Sequence, residues 1–287
     1  MTVDRTPALS RAEVDRDAAA REDEAGLAQA WKDARVLVVQ DGRTLIDDDG
    51  PALVFVDPAE APPGDRIYLG RDEEASYFAV AGALPHRLGC PPRSLHDVGA
   101  LLGNRDAGLL VHAVAVAAWH ATHTHCPRCG APTVSTRGGS VRRCTADGSE
   151  HFPRTDPAVI MLVTDGADRC VLGRQAVWPA GRFSALAGFV EPGESAEQAV
   201  IREVQEETGL AVRHVVYRGS QPWPFPASLM LGYRAVCDGE AMPHPQDGEL
   251  EDARWFHRDE LRAGGDMLLP TPVSIAWRLI TDWLEGV

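Results

Sequence analysis

The stretch from Gly188 to Leu210, GFVEPGESAEQAVIREVQEETGL, constrains this chain more than any other. It predicts a glycine turn leading into a short capped helix. Ser195 stands as N-cap with Gln198 three residues on, the spacing of a capping box, and Gly209 supplies the stop. At ~100° per residue, Glu203, Glu206 and Glu207 fall on one arc of about 100° of the helix surface. Val200 and Val204 border that arc and Ala196 and Ala199 lie beneath it, while Arg202, Gln205 and Gln198 take the opposite side. Carboxylates beside a buried face are costly unless a cation compensates them. A hard divalent ion suits the task, since Mg²⁺ takes a few carboxylates and keeps its other positions for water and substrate phosphates. Acids at i, i+3 and i+4 also occur on ordinary solvent-facing helices; here the flanking caps and glycines set them apart.

Gly188, five residues, Glu194, seven residues and then Arg202-Glu203-Val204-Gln205-Glu206-Glu207-Thr208-Gly209-Leu210 fill every fixed position of the Nudix box. The segment thus resembles the Nudix hydrolase family, which cleaves nucleoside diphosphates linked to another moiety. The resemblance implies Glu203 and Glu207 as metal ligands, joined by Glu206 in some members, with Glu207 orienting or deprotonating the water. It also implies that Arg202 holds a box carboxylate in place. The charges agree with this chemistry. Metal ions held by carboxylates neutralise an anionic pyrophosphate and acidify a bound water, leaving positioning and charge stabilisation to the protein.

Downstream, Ser220-Gln221-Pro222-Trp223-Pro224-Phe225-Pro226-Ala227-Ser228 alternates three prolines with two aromatics. Prolines fix φ, so this segment predicts a stiff, extended loop able to hold aromatic faces against a base; core aromatics in a proline-rich crossover give the same pattern. In this setting it resembles the SQPWPFPxS motif of the NADH pyrophosphatase branch of the family. That resemblance implies hydrolysis of NAD(H) to AMP and nicotinamide mononucleotide, removal of an NAD cap from RNA, and a homodimer. It implies Mg²⁺ or Mn²⁺ held by Glu203, Glu206, Glu207, Glu249 and the Ala187 carbonyl. Phe189, Gln221, Pro222, Trp223, Pro224, Phe225, Pro226, Ala227, Ser228 and Ala276 follow as substrate contacts. Phe152 stands where some members have tyrosine, and Gly139 where some have a substrate-contacting glutamate.

Six cysteines divide into two groups. Cys90, Cys170 and Cys237 are scattered, and no disulfide framework is expected of a cytosolic chain. Cys126-Pro-Arg-Cys129-Gly130 is half of a zinc ribbon, with Gly138-Gly139 marking a hairpin tip before Cys144. A second Cys-x2-Cys would put a fourth ligand at position 147, where this chain has Asp147. Either Asp147 or His151 completes a tetrahedral site, or the knuckle has lost its metal and packs as a plain hairpin; a bound zinc is expected in a structural role typical of small units with little core. His123 and His125 are expected as linker residues.

The remaining features set the frame. A chain of 287 residues suits about two domains. A net charge of −14 with no basic block disfavours general binding to nucleic-acid backbone, which needs clustered Lys and Arg. The first 25 residues lack the apolar core of a signal peptide. The apolar run Leu109 to Trp119 is shorter than the ~20 residues of a membrane span, so a cytoplasmic protein is expected. Residues 10–30 predict a surface helix, followed by strands at 35–39, 52–56, 66–69 and 76–80 in a small antiparallel sheet. Residues 94–121 predict helix broken at Asn104-Arg105-Asp106-Ala107-Gly108. Strands at 158–163, 170–174, 212–217 and 229–237, with helices at the box and at 274–284, imply a mixed sheet between helical layers. The fold class is thus α/β (α+β): a Nudix α/β/α sandwich with a mixed sheet, preceded by a zinc-ribbon-like knuckle and a small α+β N-terminal domain. The expected boundaries are 1–121, 122–154 and 155–287. Competing functions are a broader ADP-ribose diphosphatase and a non-catalytic nucleotide-binding module; the latter would lose box carboxylates, and none is lost.

Overall fold

In the computed structural model, which describes residues 5–287 except Asp247 and Asp266, the chain divides into two units. One comprises Leu9–Thr155 with Pro224–Ala227; the other comprises the described residues up to Ala8, Asp156–Trp223 and Ser228–Val287. The first unit contains helix α1 (Glu24–Ala30) and strands β1 (Arg35–Val39), β2 (Arg43–Asp47), β3 (Ala52–Leu53), β4 (Arg66–Arg71), β5 (Ser76–Ala81) and β6 (Pro92–Ser94). They form two sheets, ordered β1-β5-β4 and β3-β2-β6. Val36, Val38, Tyr68, Phe78 and Val80 bury one face of the first sheet against Leu27 of α1. β1 and β5 run parallel while β4 and β5 run antiparallel, so the sheet is mixed and not the antiparallel one expected. Parallel pairing needs a long crossover, and local alternation carries no mark of it.

Two helical expectations fail here for tertiary reasons. The stretch 10–30 forms an α-helix only over Glu24–Ala30, where the Asp23 side chain accepts the Gly26 N–H. Upstream, Asp15 exchanges two backbone hydrogen bonds of 3.0 and 2.8 Å with Arg71, so an edge of β4 claims backbone that alanine propensity would have made helical. Gly70 permits this approach, since a Cβ there would stand 2.2 Å from the Asp15 carbonyl oxygen. Second, Asn104–Gly108 is no break. It opens helix α3 (Asn104–Thr122), after the short helix α2 (Leu95–Val98). Asp106 lies in the first turn, where the helix dipole favours an acid, and it accepts the Leu53 N–H at 2.9 Å. The unit ends in a three-stranded sheet, β7 (Thr133–Thr136), β8 (Val141–Cys144) and β9 (Glu150–His151).

The second unit holds β10 (Asp156–Thr164), β11 (Arg169–Arg174), β12 (Leu186–Phe189), α4 (Ala196–Thr208), β13 (Val212–Trp223), β14 (Ser228–Cys237), β15 (Asp252–His257), α5 (Arg258–Ala263) and α6 (Ile275–Leu284). The sheet order is β13-β14-β10-β11-β15, with β12 also pairing β10. β10 is an unbroken apolar run because both its faces are covered. Val159, Met161 and Val163 meet Ala199, Val200 and Val204 of α4. Ile160 and Leu162 meet Ile275, Ala276, Leu279 and Ile280 of α6. β10 is parallel to β14 and antiparallel to β11 and β12. This is the mixed sheet between helices expected from the sequence. β13 runs further than expected, through Gln221 and Pro222 to Trp223. Pro222 is tolerated because β13 is an edge strand, so most of the anticipated loop is strand. Among the described residues, no helix is long and apolar enough to cross a membrane.

Candidate active site and cysteine cluster

Both ends of α4 are fixed by its own residues. Gln198 N–H donates to Ser195 Oγ at 3.2 Å and Ser195 N–H to the Gln198 side chain at 2.9 Å. Gly209 closes the helix in the left-handed region at φ 73°. Such a cap stabilises a helix by about 1 kcal/mol. β12 pairs with β10 through Ala187↔Ile160, Gly188↔Val159 and Phe189↔Ala158, and it packs beside α4. The consequence shows at Gly188: a Cβ there would lie 2.0 Å from Glu203 Cδ and 2.1 and 2.3 Å from its carboxylate oxygens. The Glu203 carboxylate therefore rests on a bare α-carbon, and the first glycine of the box is a cradle for the acid fifteen residues later.

Arg202 organises the rest. Its guanidinium donates to both Glu194 oxygens at 2.9 Å, to Glu203 at 2.8 Å, to Glu206 at 3.0 Å and to the Phe189 carbonyl at 2.9 Å. Helical spacing put Arg202 on the face opposite the acids. Its long side chain instead wraps onto them, since one guanidinium can satisfy several carboxylates at once. Burial pushes the Glu203 carboxyl up, with Glu206 and Glu249 adding to the rise and Arg202 opposing it. The hydrogen bonds from Arg202 hold Glu194 below the usual carboxylate range. Glu207 is only 2% exposed, whereas Glu206 is half exposed.

The remaining predicted residues occupy diverse settings. Glu249 is exposed and accepts from Gln175 Nε2 at 3.2 Å; its charge acts on Glu203. Gln175 had no mark in the sequence and emerges only because β11 ends beside that segment. Ala187 is half-buried against the α6 side of the core, and Phe189 is 60% exposed. Gln221 is fully buried and donates to the Val273 carbonyl at 2.8 Å. Pro222, Trp223, Ala227 and Ser228 are half-buried, Pro224 is buried and Pro226 is exposed. Phe225 meets the His96 ring edge-on with centroids 6.1 Å apart. Ala276 is 1% exposed and donates its N–H to the Ser274 cap.

Carboxylates are hard oxygen donors, and the Gly188 cradle leaves Glu203 room at the strand edge, so this donor set fits a hard divalent cation. The box acids are spread around Arg202 and are not drawn to a point. Among the described residues, three or more metal-ligating side chains come within 4.8 Å of one another only at Cys126, Cys129, Cys144 and Asp147.

That cluster has the ligand types of a zinc site. Cys129 Sγ and Cys144 Sγ are 3.4 Å apart, close to the about 3.8 Å that two thiolates span on a tetrahedral zinc. Backbone N–H groups of Ala146 and Asp147 point at Cys144 Sγ, and that of Arg128 at Cys126 Sγ, each at 3.4 Å. Burial opposes ionisation of Cys126, but Ser149, the Arg128 and Cys129 N–H groups and His151 outweigh it and bring the thiol down to about 6. The hydroxyl and N–H of Ser149 hold Asp147 down at about 2. Asp147 therefore belongs to the cluster, while His151 stands behind it, 3.2 Å from Ser149 Oγ. Three thiols and a carboxylate fit zinc. Nearby, Phe152 is 61% exposed. Gly139 is buried at φ 84°, where a Cβ would meet Ile67 Cα at 2.9 Å, so a glutamate has no place at that position.

Comparison with known proteins gives three family matches along the chain. Residues 33–119 match the NADH pyrophosphatase-like rudimentary NUDIX domain, 121–152 the NADH pyrophosphatase zinc ribbon domain and 154–276 the NUDIX domain. A Mycobacterium bovis protein described as NAD-capped RNA hydrolase NudC is 41% identical over 295 residues, 96% of this chain and 94% of its own. A Mycobacterium tuberculosis protein of the same description matches with the same identity and coverage. The Homo sapiens NAD-capped RNA hydrolase NUDT12 is 42% identical over 200 residues, 64% of this chain and 43% of its own.

Proposed function

The chain belongs to the Nudix hydrolases, on the NADH pyrophosphatase branch of that family, and from this we propose that it cleaves the pyrophosphate of NAD(H). Water adds to one phosphorus and the bridging P–O bond breaks, giving AMP and nicotinamide mononucleotide. The same cleavage removes an NAD cap from RNA. The observation that carries the reaction class is the Glu203 carboxylate lodged against Gly188, with Arg202 binding Glu203 and Glu206 together. The relatives described as NAD-capped RNA hydrolases support the substrate.

In this reading Glu203, Glu206, Glu207, Glu249 and the Ala187 carbonyl hold Mg²⁺ or Mn²⁺, which when bound neutralises the diphosphate and acidifies a water. Glu207, buried on the core side of α4, takes the proton of the attacking water. Arg202 fixes the carboxylates so that they need no reorganisation during the reaction. Exposed Phe189 stacks on the nicotinamide, and the Gln221–Ser228 hairpin lines the substrate. Gln221 and Ala276, both buried, act from beneath by fixing the backbone around Val273 and Ser274. Cys126, Cys129, Cys144 and Asp147 hold a structural zinc. A homodimer working in the cytoplasm, where NAD and RNA 5′ ends meet, completes the proposal.

The test is a substrate comparison. Purified protein with Mn²⁺ or Mg²⁺ is given NADH, NAD⁺, ADP-ribose and NAD-capped RNA, and products are separated by chromatography. AMP plus the mononucleotide, with either dinucleotide or the cap favoured over ADP-ribose, is the expected result. A clear preference for ADP-ribose overturns the substrate assignment.

A further inference from the structure

Three consecutive residues where β11 ends, Gly173, Arg174 and Gln175, each hold one residue of the Glu249–Glu251 segment. Gly173 takes Leu250. A Cβ on Gly173 would stand 2.8 Å from Leu250 Cδ1 and 3.1 Å from Leu186 Cδ2, so both leucines lie over a bare α-carbon. Leu250 is buried in the same apolar cluster as Leu186 and as Ala199, Val200 and Val204 of α4. Leu186 itself stands two residues before Gly188, the seat of the Glu203 carboxylate. Glu249 thus branches from a residue packed into the core beneath the box helix.

Arg174 takes Glu251. Its carbonyl accepts the Glu251 N–H at 2.9 Å, and its Nη1 meets the Glu251 carboxylate at 2.5 Å. Its Nη2 donates to the Trp178 carbonyl at 3.0 Å, which ties the arginine to its own loop. Gln175 takes Glu249, with Nε2 donating to Oε1 at 3.2 Å. Leu250 and Glu251 therefore fix the backbone next to Glu249, and the Gln175 amide acts on what is left, the torsions of a long side chain. Ordering those torsions is an entropic cost of ion binding, and a standing hydrogen bond carries part of it before the ion arrives.

The donor is neutral, and that matters. An ionised carboxylate accepts at two oxygens with about four lone-pair positions. One amide N–H leaves most of these, and the full negative charge, available to a cation. Arg202 differs, since it compensates the charge of Glu203 and Glu206. The charge of Glu249 also reaches Glu203.

We propose that Gln175 is a positioning residue for Glu249: its amide fixes the metal-binding carboxylate that comes from outside the box helix, so that a divalent cation meets it already oriented. This rests on the metal role given to Glu249 in the function proposed above.

The experiment uses the full-length chain. Mn²⁺ alone is titrated and the unbound ion counted by its EPR signal, in the wild type, Gln175→Ala, Glu249→Gln and the double variant. Glu249→Gln identifies the ions that depend on Glu249. Gln175→Ala should weaken the same ions about tenfold, the low end of the ~10–100-fold expected of a partner behind a metal ligand, because this hydrogen bond is exposed. In the Glu249→Gln background it should change nothing further. With NADH as substrate, the Mn²⁺ concentration for half-maximal rate should rise by the same factor, while kcat at saturating Mn²⁺ is retained. General damage to the fold does not produce that split. Gln175→Met keeps the side-chain volume without the amide and serves if alanine disturbs the loop. Unchanged Mn²⁺ affinity in both folded Gln175 variants, with Glu249→Gln weakened, overturns the positioning role. So does an equal loss from Gln175→Ala with and without Glu249. Unchanged ion binding in Glu249→Gln overturns the metal role of Glu249 and the proposal with it. If the wild type does not hydrolyse NADH, the substrate reading fails while the ion titration still decides the role of Gln175.

Discussion

Replacing Gly188 with alanine tests the central geometry with a single methyl group. The new carbon would stand 2.0–2.3 Å from the Glu203 carboxylate atoms, against an ordinary contact of ~3.5 Å or more. The carboxylate must therefore retreat by roughly 1.2–1.5 Å, enough to break its alignment, and a misplacement of about 1 Å costs ~10²-fold in rate. Stability should fall far less than activity. The obstructing atoms are the tip of a flexible side chain, and Gly188 has no left-handed φ to lose. An overpacking cost of at most about 1–3 kcal/mol would lower Tm by only several degrees. The assay is NADH hydrolysis over a range of Mn²⁺ concentrations, with thermal melts alongside, for Gly188→Ala, Glu203→Ala and the double variant. If alanine acts by displacing Glu203, it does no further harm once Glu203 is gone, and the two losses are strongly non-additive. Wild-type kcat/KM in Gly188→Ala, or losses that simply multiply in the double variant, would refute the cradle.

Three further outcomes follow from the same structure. Glu207→Gln should lower turnover by ~10²-fold or more, the size expected for a positioned base, with the melting temperature recorded to separate chemistry from folding. Arg202 holds the Glu194 pKa below its unfolded value, so this pair stabilises the fold above the usual glutamate pKa of ~4.3. That contribution is lost as pH falls through the depressed value, and Glu194→Gln should flatten the acid limb of a pH–stability curve. For zinc, elemental analysis should find one ion per chain after purification without chelator, and Cys129→Ser should lose it together with thermal stability. Equal zinc content in both proteins would remove the metal from this cluster.

The parts of this molecule that local chemistry specifies were legible in the sequence. Ser195, Gln198 and Gly209 fix the box helix through bonds to near neighbours, and the apolar run of β10 announces a buried central strand. What depends on distant partners was not. The parallel β1–β5 pair joins residues about forty positions apart, and the capture of Asp15 by Arg71 defeats a helix that composition favours. At the site, Glu203 and Glu207 could be named from spacing. The wrap of Arg202 onto three acids could not, because a wheel projects the direction of a side chain and not its reach. Gln175 gave no signal, since its contact with Glu249 joins the end of β11 to a segment over seventy residues away.

The parallel pairing of β10 with β14 also bears on the birth of the enzyme. The ribosome finishes Thr164 and then the whole box before the strand beginning at Ser228 exists. At ~5–20 residues per second, translation takes several seconds to cross that interval. A nascent chain stopped between Leu210 and Ser228 carries every acid of the box on a helix whose supporting platform has one flank unbuilt. Catalytic competence thus cannot precede a strand that contributes none of those acids.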